Sequence, residues 1–170
     1  MKYRTHLFPL LLCGLTSLCL ILASGCASKR YGNLPSQTAG TSSRLGMNVV
    51  RTASTQLGKP YRLGGDSPRK GFDCSGLIYW SFGQNGVKVP RITTSQARAG
   101  TKVSVNRLQP GDILVFRTQN APNGLHTGIY VGDGRFIHSP NSRSRVRVDD
   151  LSSSSYWRKH LLMGRRLSSR

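Results

Sequence analysis

The sequence predicts an α+β domain with its helices first and an antiparallel sheet after them. Three observations point there. Apolar residues recur at helical spacing between residues 44 and 57, a second apolar segment opens on Cys74 and stops at Asn85–Gly86, and beyond Gly86 short β-branched or alternating runs are separated by glycine-rich turns. Segregation of helices and strands along the chain is the α+β pattern.

In order, SSRLGMNVVRTASTQLG opens on a serine cap and places Leu45, Val49, Val50, Ala53 and Leu57 on one helical face, with Gly58 and Pro60 ending it. PYRLGGDSPRKG reads as a loop from its Gly and Pro content, and a second helix runs from about Cys74 to Gln84. RITTSQARAG holds a short helix, QPGD is a turn, and ILVFR (113–117) has the apolar, β-branched character of a buried strand. LHTGIYV, GDG and RFIHS together read as a hairpin, SRVRVDD alternates as a further strand, and HLLMGRRL closes the sheet.

The N-terminal residues set the compartment. Lys2 and Arg4 precede a mostly apolar run from Leu7 to Leu22 that ends in the small residues LASGC, a secretory signal too short for an ordinary membrane span. The small residues followed at once by Cys26 resemble the lipobox of bacterial lipoproteins, with Ala23 where leucine is commonest. Residues 1–25 are thus expected to be a lipoprotein signal peptide, Cys26 the lipidated residue, 26–41 a Ser/Gly/Thr/Pro-rich tether and 42–170 the folded domain. Plain cleavage near Ala23 with an ordinary thiol at Cys26 is the alternative.

Cys13 and Cys19 leave with the signal and Cys26 carries the lipid, so Cys74 has no disulfide partner in the mature chain. A lone thiol in an oxidising compartment, accompanied by distant histidines, is a candidate nucleophile; the plainer reading is a small buried hydrophobe. The charge is lopsided: 25 basic residues face six acidic ones, all aspartate, for a net charge of +19. Such a surface suits an acidic partner such as cell-wall polymer or anionic lipid, or serves solubility alone. The export signal and the lack of interleaved basic and aromatic repeats exclude nucleic acid as the expected partner.

Thiolate is the reactive form of cysteine, and it is favoured at a helix N-terminus or beside an imidazolium. Cys74 opens the predicted helix, and Asp73 before it reads as a helix cap. His126 and His138 flank the GDG turn. With Gly132, Asp133 and Gly134 as a three-residue loop, cross-strand partners sum to 266, which puts both rings on one sheet face as diagonal neighbours, about 7–8 Å apart; a two-residue loop would separate them. One arrangement satisfies the set: Cys74 attacks a carbonyl carbon, His126 exchanges the proton, and His138 orients His126. Thiolate and imidazolium then form an ion pair before substrate arrives. Zinc held by one Cys and two His is the rival chemistry, against which stand the absence of a second mature cysteine and of compact ligand spacing. His160 reads as a surface histidine. No cofactor or metal is expected.

The motifs PYRLGG (60–65), FDCSGL (72–77), PRITTSQ (90–96), LQPGDILVF (108–116), HTGIYVGDGRFIHS (126–139) and YW (156–157) resemble, in order and spacing, the NlpC/P60 cysteine peptidases of bacterial cell walls, most of all their short lipoprotein endopeptidases from Gram-negative envelopes. The resemblance implies a papain-like α+β fold, Cys74 as nucleophile, His126 as base and His138 as third polar residue. It further implies that Tyr61 positions substrate or stabilises the oxyanion together with the Cys74 amide, and that Asp73 and Ser75 contact the stem peptide of peptidoglycan. Asp112 matches a turn position with a structural role. The implied activity is endopeptidase cleavage within or between stem peptides by a monomer, lipid-anchored in the cell envelope. Ala27 after the lipidated cysteine favours outer-membrane sorting. A non-catalytic wall-binding scaffold, or an amidase or acyltransferase using the same triad, remains open.

Overall fold

The computed structural model describes residues 44–168 apart from 120, 122 and 152–154. The predicted signal, Cys26, the tether and the serine cap of the first helix lie outside the described residues.

Helix α1 (Arg44–Ser54) buries Val49, Val50 and Ala53 and leaves its arginines in solvent, as the 3.6-residue spacing requires. It ends one turn earlier than expected, and Leu57 lies beyond it on the surface. The segment expected to be loop carries a two-stranded antiparallel ribbon, β1 (Asp66–Ser67) and β2 (Gly71–Phe72), followed by α2 (Cys74–Gly83) and the short α3 (Thr93–Gln96). Two-residue strands leave no periodicity to detect in a sequence.

The remaining strands are β3 (Thr101–Val103), β4 (Ile113–Arg117), β5 (Leu125–Gly132), β6 (Arg135–His138), β7 (Arg147–Asp150) and β8 (Leu161–Arg166), with α4 (Ser155–His160) leading directly into β8. They form one antiparallel sheet in the order β3-β8-β4-β5-β6-β7. β8, expected to close the sheet, instead lies inside it and pairs with both β3 and β4. The continuous apolar run of β4 follows from burial on both faces: Ile113 packs with Val49, Leu77, Phe82 and Ile129 beneath α1 and α2, while Leu114 and Phe116 pack with Phe136 and Leu151 on the opposite face.

The hairpin between β5 and β6 settles where the histidines go. Its turn is two residues, not three: Asp133 and Gly134, at φ 52° and 71°, a left-handed pair of the kind that two-residue hairpins favour. A bulge between Tyr130 and Gly132 supplies the missing residue, so the pairs Tyr130–Phe136 and Ile129–Ile137 keep the register expected from the longer loop. Asp112 has the structural role expected of it. Its carboxylate accepts the Gln109 amide at 2.8 Å and two guanidinium bonds from Arg166 at 2.7 and 2.8 Å, tying the turn before β4 to β8.

Helix α1 is seated through glycine. A Cβ on Gly46 would lie 2.1 Å from the Pro110 carbonyl oxygen, and one on Gly111 would lie 2.2 Å from the Gly46 Cα. Gly46→Ala is therefore expected to lower unfolding free energy by about 1–3 kcal/mol through overpacking, read as an earlier urea midpoint with unchanged m-value.

Candidate active site

Cys74 is the first residue of α2 because Asp73 stops the extended chain and caps the helix. Asp73 has φ −87° and ψ 177°, and its Oδ1 accepts the Gly76 amide at 2.7 Å. The same carboxylate accepts the Gly64 amide at 2.8 Å and a bidentate pair of bonds from Arg91 at 2.9 and 2.8 Å. Arg91 also donates to Ser75 Oγ at 3.0 Å and to the Gly65 carbonyl at 3.1 Å. Its hydrogen bonds to Asp73 raise the guanidinium pKa further. At Gly76 a Cβ would lie 1.9 Å from the Gly65 carbonyl oxygen, so glycine is what lets the helix rest on this loop. The thiol itself is half-buried, with Sγ 3.7 Å from Thr93 Oγ1.

Gln96, fully buried on α3, joins the helix of the thiol to the strand of the histidine. Its Nε2 donates to the Ser75 carbonyl at 2.9 Å and the Pro90 carbonyl at 2.8 Å, and its Oε1 accepts from Thr127 Oγ1 at 3.2 Å. Ser75 adjoins Cys74 and Thr127 adjoins His126, so one side chain sets the spacing of the two.

On β5, alternation sends Thr127 toward α3 and His126 to the other face, opposite Phe116. There His126 Nε2 lies 2.8 Å from His138 Nδ1, and His138 Nε2 lies 3.0 Å from Asp149 Oδ2. Asp149 also accepts two bonds from Arg147, each 2.9 Å, and one from Trp157 Nε1 at 2.9 Å. The Trp157 ring covers both imidazoles at centroid distances of 5.2 and 4.9 Å.

This enclosure sets the charge states. Burial foremost, then the neighbouring His138, pushes the His126 pKa down to about 3; the Asp149 charge opposes the shift. Burial likewise lowers His138. Burial alone would raise the Asp149 carboxyl, but the bonds from His138 and Arg147 outweigh it and hold the group well below the usual carboxylate range. The thiolate–imidazolium pair expected from the sequence is thus disfavoured at His126, which rests neutral. Burial, then the proximity of Cys74 and Asp73, raises the Tyr61 hydroxyl.

Cys74, His126, Tyr61, Asp73, Ser75 and Arg91 line one open groove of about 860 Å³, whose other wall includes Leu125, Tyr156 and Trp157. His138 lies behind His126, fully buried. The structure therefore gathers every predicted site residue within the described part of the chain. Asp73 and Ser75 are mostly buried, and their polar atoms are engaged by Arg91, which qualifies the substrate contacts expected of them. His160 stands apart, with Nδ1 2.6 Å from the Tyr156 carbonyl. Sequence reasoning missed Arg91, Gln96 and Asp149. The signal for Asp149 was available: an acidic residue on the strand after RFIHS, whose register pairs Arg147 with His138 and Asp149 with Phe136.

A helix-borne thiol and an imidazole pair around one open groove place the molecule in the thiol–imidazole class of α+β domains. Residues 58–166 match the NlpC/P60 family, and the chain belongs to that family. It is 40% identical over 115 residues to murein DD-endopeptidase MepH of Escherichia coli, covering 66% of this chain and 42% of that protein. It is 41% identical over 115 residues to the bifunctional muramidase/DL-endopeptidase CwlT of Bacillus subtilis, covering 67% and 34%. The chain thus spans less than half the length of these relatives. Among solved structures, an NLP/P60 family protein of Staphylococcus aureus superposes with a TM-score of 0.67 at 31% identity, over 79% of this chain and 45% of that one. The NlpC/p60 domain of the peptidoglycan hydrolase SagA gives 0.61 at 31%, over 72% and 98%.

Gln96→Leu keeps the volume but leaves the Ser75 carbonyl without this donor and Thr127 Oγ1 without this acceptor. It is expected to cost about 2–4 kcal/mol of stability in urea unfolding. Acid should also destabilise the fold through His126. Above pH 6.5 the ring is neutral in both folded and unfolded chains. Between there and about 3 the unfolded chain takes a proton that the native site refuses. Melting temperature should therefore fall as pH drops from 6.5 toward 4, and by less in a His126→Gln variant.

Proposed function

We propose that this protein is a peptidoglycan endopeptidase that hydrolyses an amide bond in stem peptides or their cross-links. The observation that carries the reading is the placement of Cys74 and His126 on one open groove, with His126 hydrogen-bonded from behind by His138.

In this reading neutral His126 takes the thiol proton as sulfur attacks the carbonyl carbon, and the carbonyl π electrons move to oxygen. The amide of Cys74, at the start of α2, and the Tyr61 hydroxyl are the donors for that oxyanion. Collapse breaks the C–N bond, and His126 returns the proton to the leaving amine. Water, deprotonated by the same ring, then cleaves the thioester and regenerates the thiol. His138 orients His126 throughout. No step calls for a metal or cofactor.

The names of the relatives support murein as substrate and divide over the bond, DD in one and DL in the other. The site works in the cell envelope, held by a lipid on Cys26 at the periplasmic face of the outer membrane. The basic surface and the tether keep it near its acidic polymer.

Purified muropeptides digested with wild-type protein and with Cys74→Ala, with products identified by mass, test this reading. Wild type should release peptide fragments whose masses name the bond, and the variant should be slower by at least about a thousandfold. Equal turnover by the two proteins would defeat the mechanism. Binding without cleavage by either would favour the scaffold reading.

A further inference from the structure

Asp149 lies outside the groove lining, yet three side chains converge on its Oδ2: His138 Nε2 at 3.0 Å, Arg147 Nη2 at 2.9 Å and Trp157 Nε1 at 2.9 Å; Arg147 Nε reaches Oδ1 at 2.9 Å. The indole and guanidinium groups can only donate, so this oxygen is an acceptor. Facing an acceptor, His138 must carry its proton on Nε2, which leaves its Nδ1 with a lone pair. His126 Nε2, 2.8 Å from that lone pair, must then be the protonated nitrogen of its ring. A neutral imidazole carries one N–H, so Nδ1 of His126 is left bare, and it is the only ring nitrogen of the pair not used within the chain of bonds.

We infer that Asp149 is a positioning residue: by accepting from His138 it sets the tautomers of both imidazoles, so that the free lone pair of His126 is the one available to the Cys74 thiol. Without that acceptor the two rings can reverse their shared hydrogen bond together, with His138 Nδ1–H donating to His126 Nε2. His126 then carries its proton on Nδ1 and cannot take another there while neutral. The reversal keeps every ring in place and every hydrogen bond between them intact, so it changes chemistry without changing packing. The inference rests on the proposed reading for its kinetic consequence and stands independently of it for the tautomers themselves.

The test uses protein with 15N-labelled histidine, in which long-range proton–nitrogen spectra distinguish bare from protonated ring nitrogens. In wild type at pH 7, His126 and His138 should both be protonated on Nε2 and bare on Nδ1. Asp149→Ala should mix the tautomers of both rings. On muropeptides it should lower kcat on the order of 10²–10⁴-fold with KM within about threefold, and it should slow iodoacetamide alkylation of Cys74. Asp149→Asn is the rescue. Three donors surround the Oδ2 position, so the amide oxygen must occupy it, and this variant should keep the wild-type tautomers and recover most of the rate. Circular dichroism and melting temperature establish that each variant is folded. If Asp149→Ala does not fold, the wild-type and Asp149→Asn spectra still decide the tautomers.

A wild-type spectrum with a proton on His126 Nδ1 overturns the inference, as do wild-type tautomers and alkylation in folded Asp149→Ala. The predicted tautomers in a protein that cleaves no muropeptide would leave the inference standing and remove the proposed activity instead.

Discussion

One buried amide sets the geometry of the site. Gln96 spans from the Ser75 carbonyl to the Thr127 hydroxyl, and those residues adjoin Cys74 and His126. The helix that presents the thiol and the strand that presents the imidazole are more than forty residues apart in sequence, and their separation is set by bonds of 2.9 and 3.2 Å in the interior. A buried side chain held at both ends cannot drift without stranding polar groups away from water. Precision at the groove is thus inherited from polar satisfaction in the core. The Asp73 carboxylate does the corresponding work at the helix start, where it joins the cap, the Gly64 loop and Arg91.

The parts of the fold legible in the sequence were those marked by spacing, by an apolar run or by turn residues. α1 buries one face at helical spacing, α2 is an apolar segment opening on Cys74 and stopped at Asn85–Gly86, β4 is an apolar run, β5 and β6 flank a glycine turn, and α3 and β7 fall where a short helix and an alternating strand were expected. β1, β2 and β3, at two or three residues, are too short to write a pattern, and α4 is six residues anchored by Trp157 among aromatics from other strands. The place of β8 between β3 and β4 depends on which edges pair, which local spacing does not encode. In the site, thiol, cap and histidine pair were legible from residue type and parity. The hairpin kept its expected register for a different reason, because the bulge near Val131 makes up for the shorter turn. Arg91 and Gln96 act through contacts across the fold that no run of residues announces, whereas Asp149 sits on the strand paired with that of His138 and could have been found from the register.

The histidine pair departs most from expectation in its charge. Reasoning from a lone thiol calls for a nearby cation, and an imidazolium meets that need. The structure packs both rings against Phe116, Phe136 and Trp157, where desolvation penalises the cation, and places the Asp149 carboxylate next to His138, the ring behind, rather than next to His126 at the groove. The result is a neutral relay with one charged end, Asp149 shielded by Arg147. An enclosure of this kind holds proton positions through hydrogen-bond polarity and keeps net charge out of the aromatic layer.

The interior position of β8 bears on the order in which the sheet can be completed. Residues 161–166 form the rung that joins β3 to β4. While a polypeptide is being synthesised from its N-terminus, β4 through β7 can pair by local hairpins, but β3 has no neighbour and β4 has one open edge until this late segment emerges. Between the synthesis of β4 and that of β8, a nascent chain is therefore left with unpaired backbone along its most apolar strand. Closure of the whole sheet therefore waits on the last strand in the sequence.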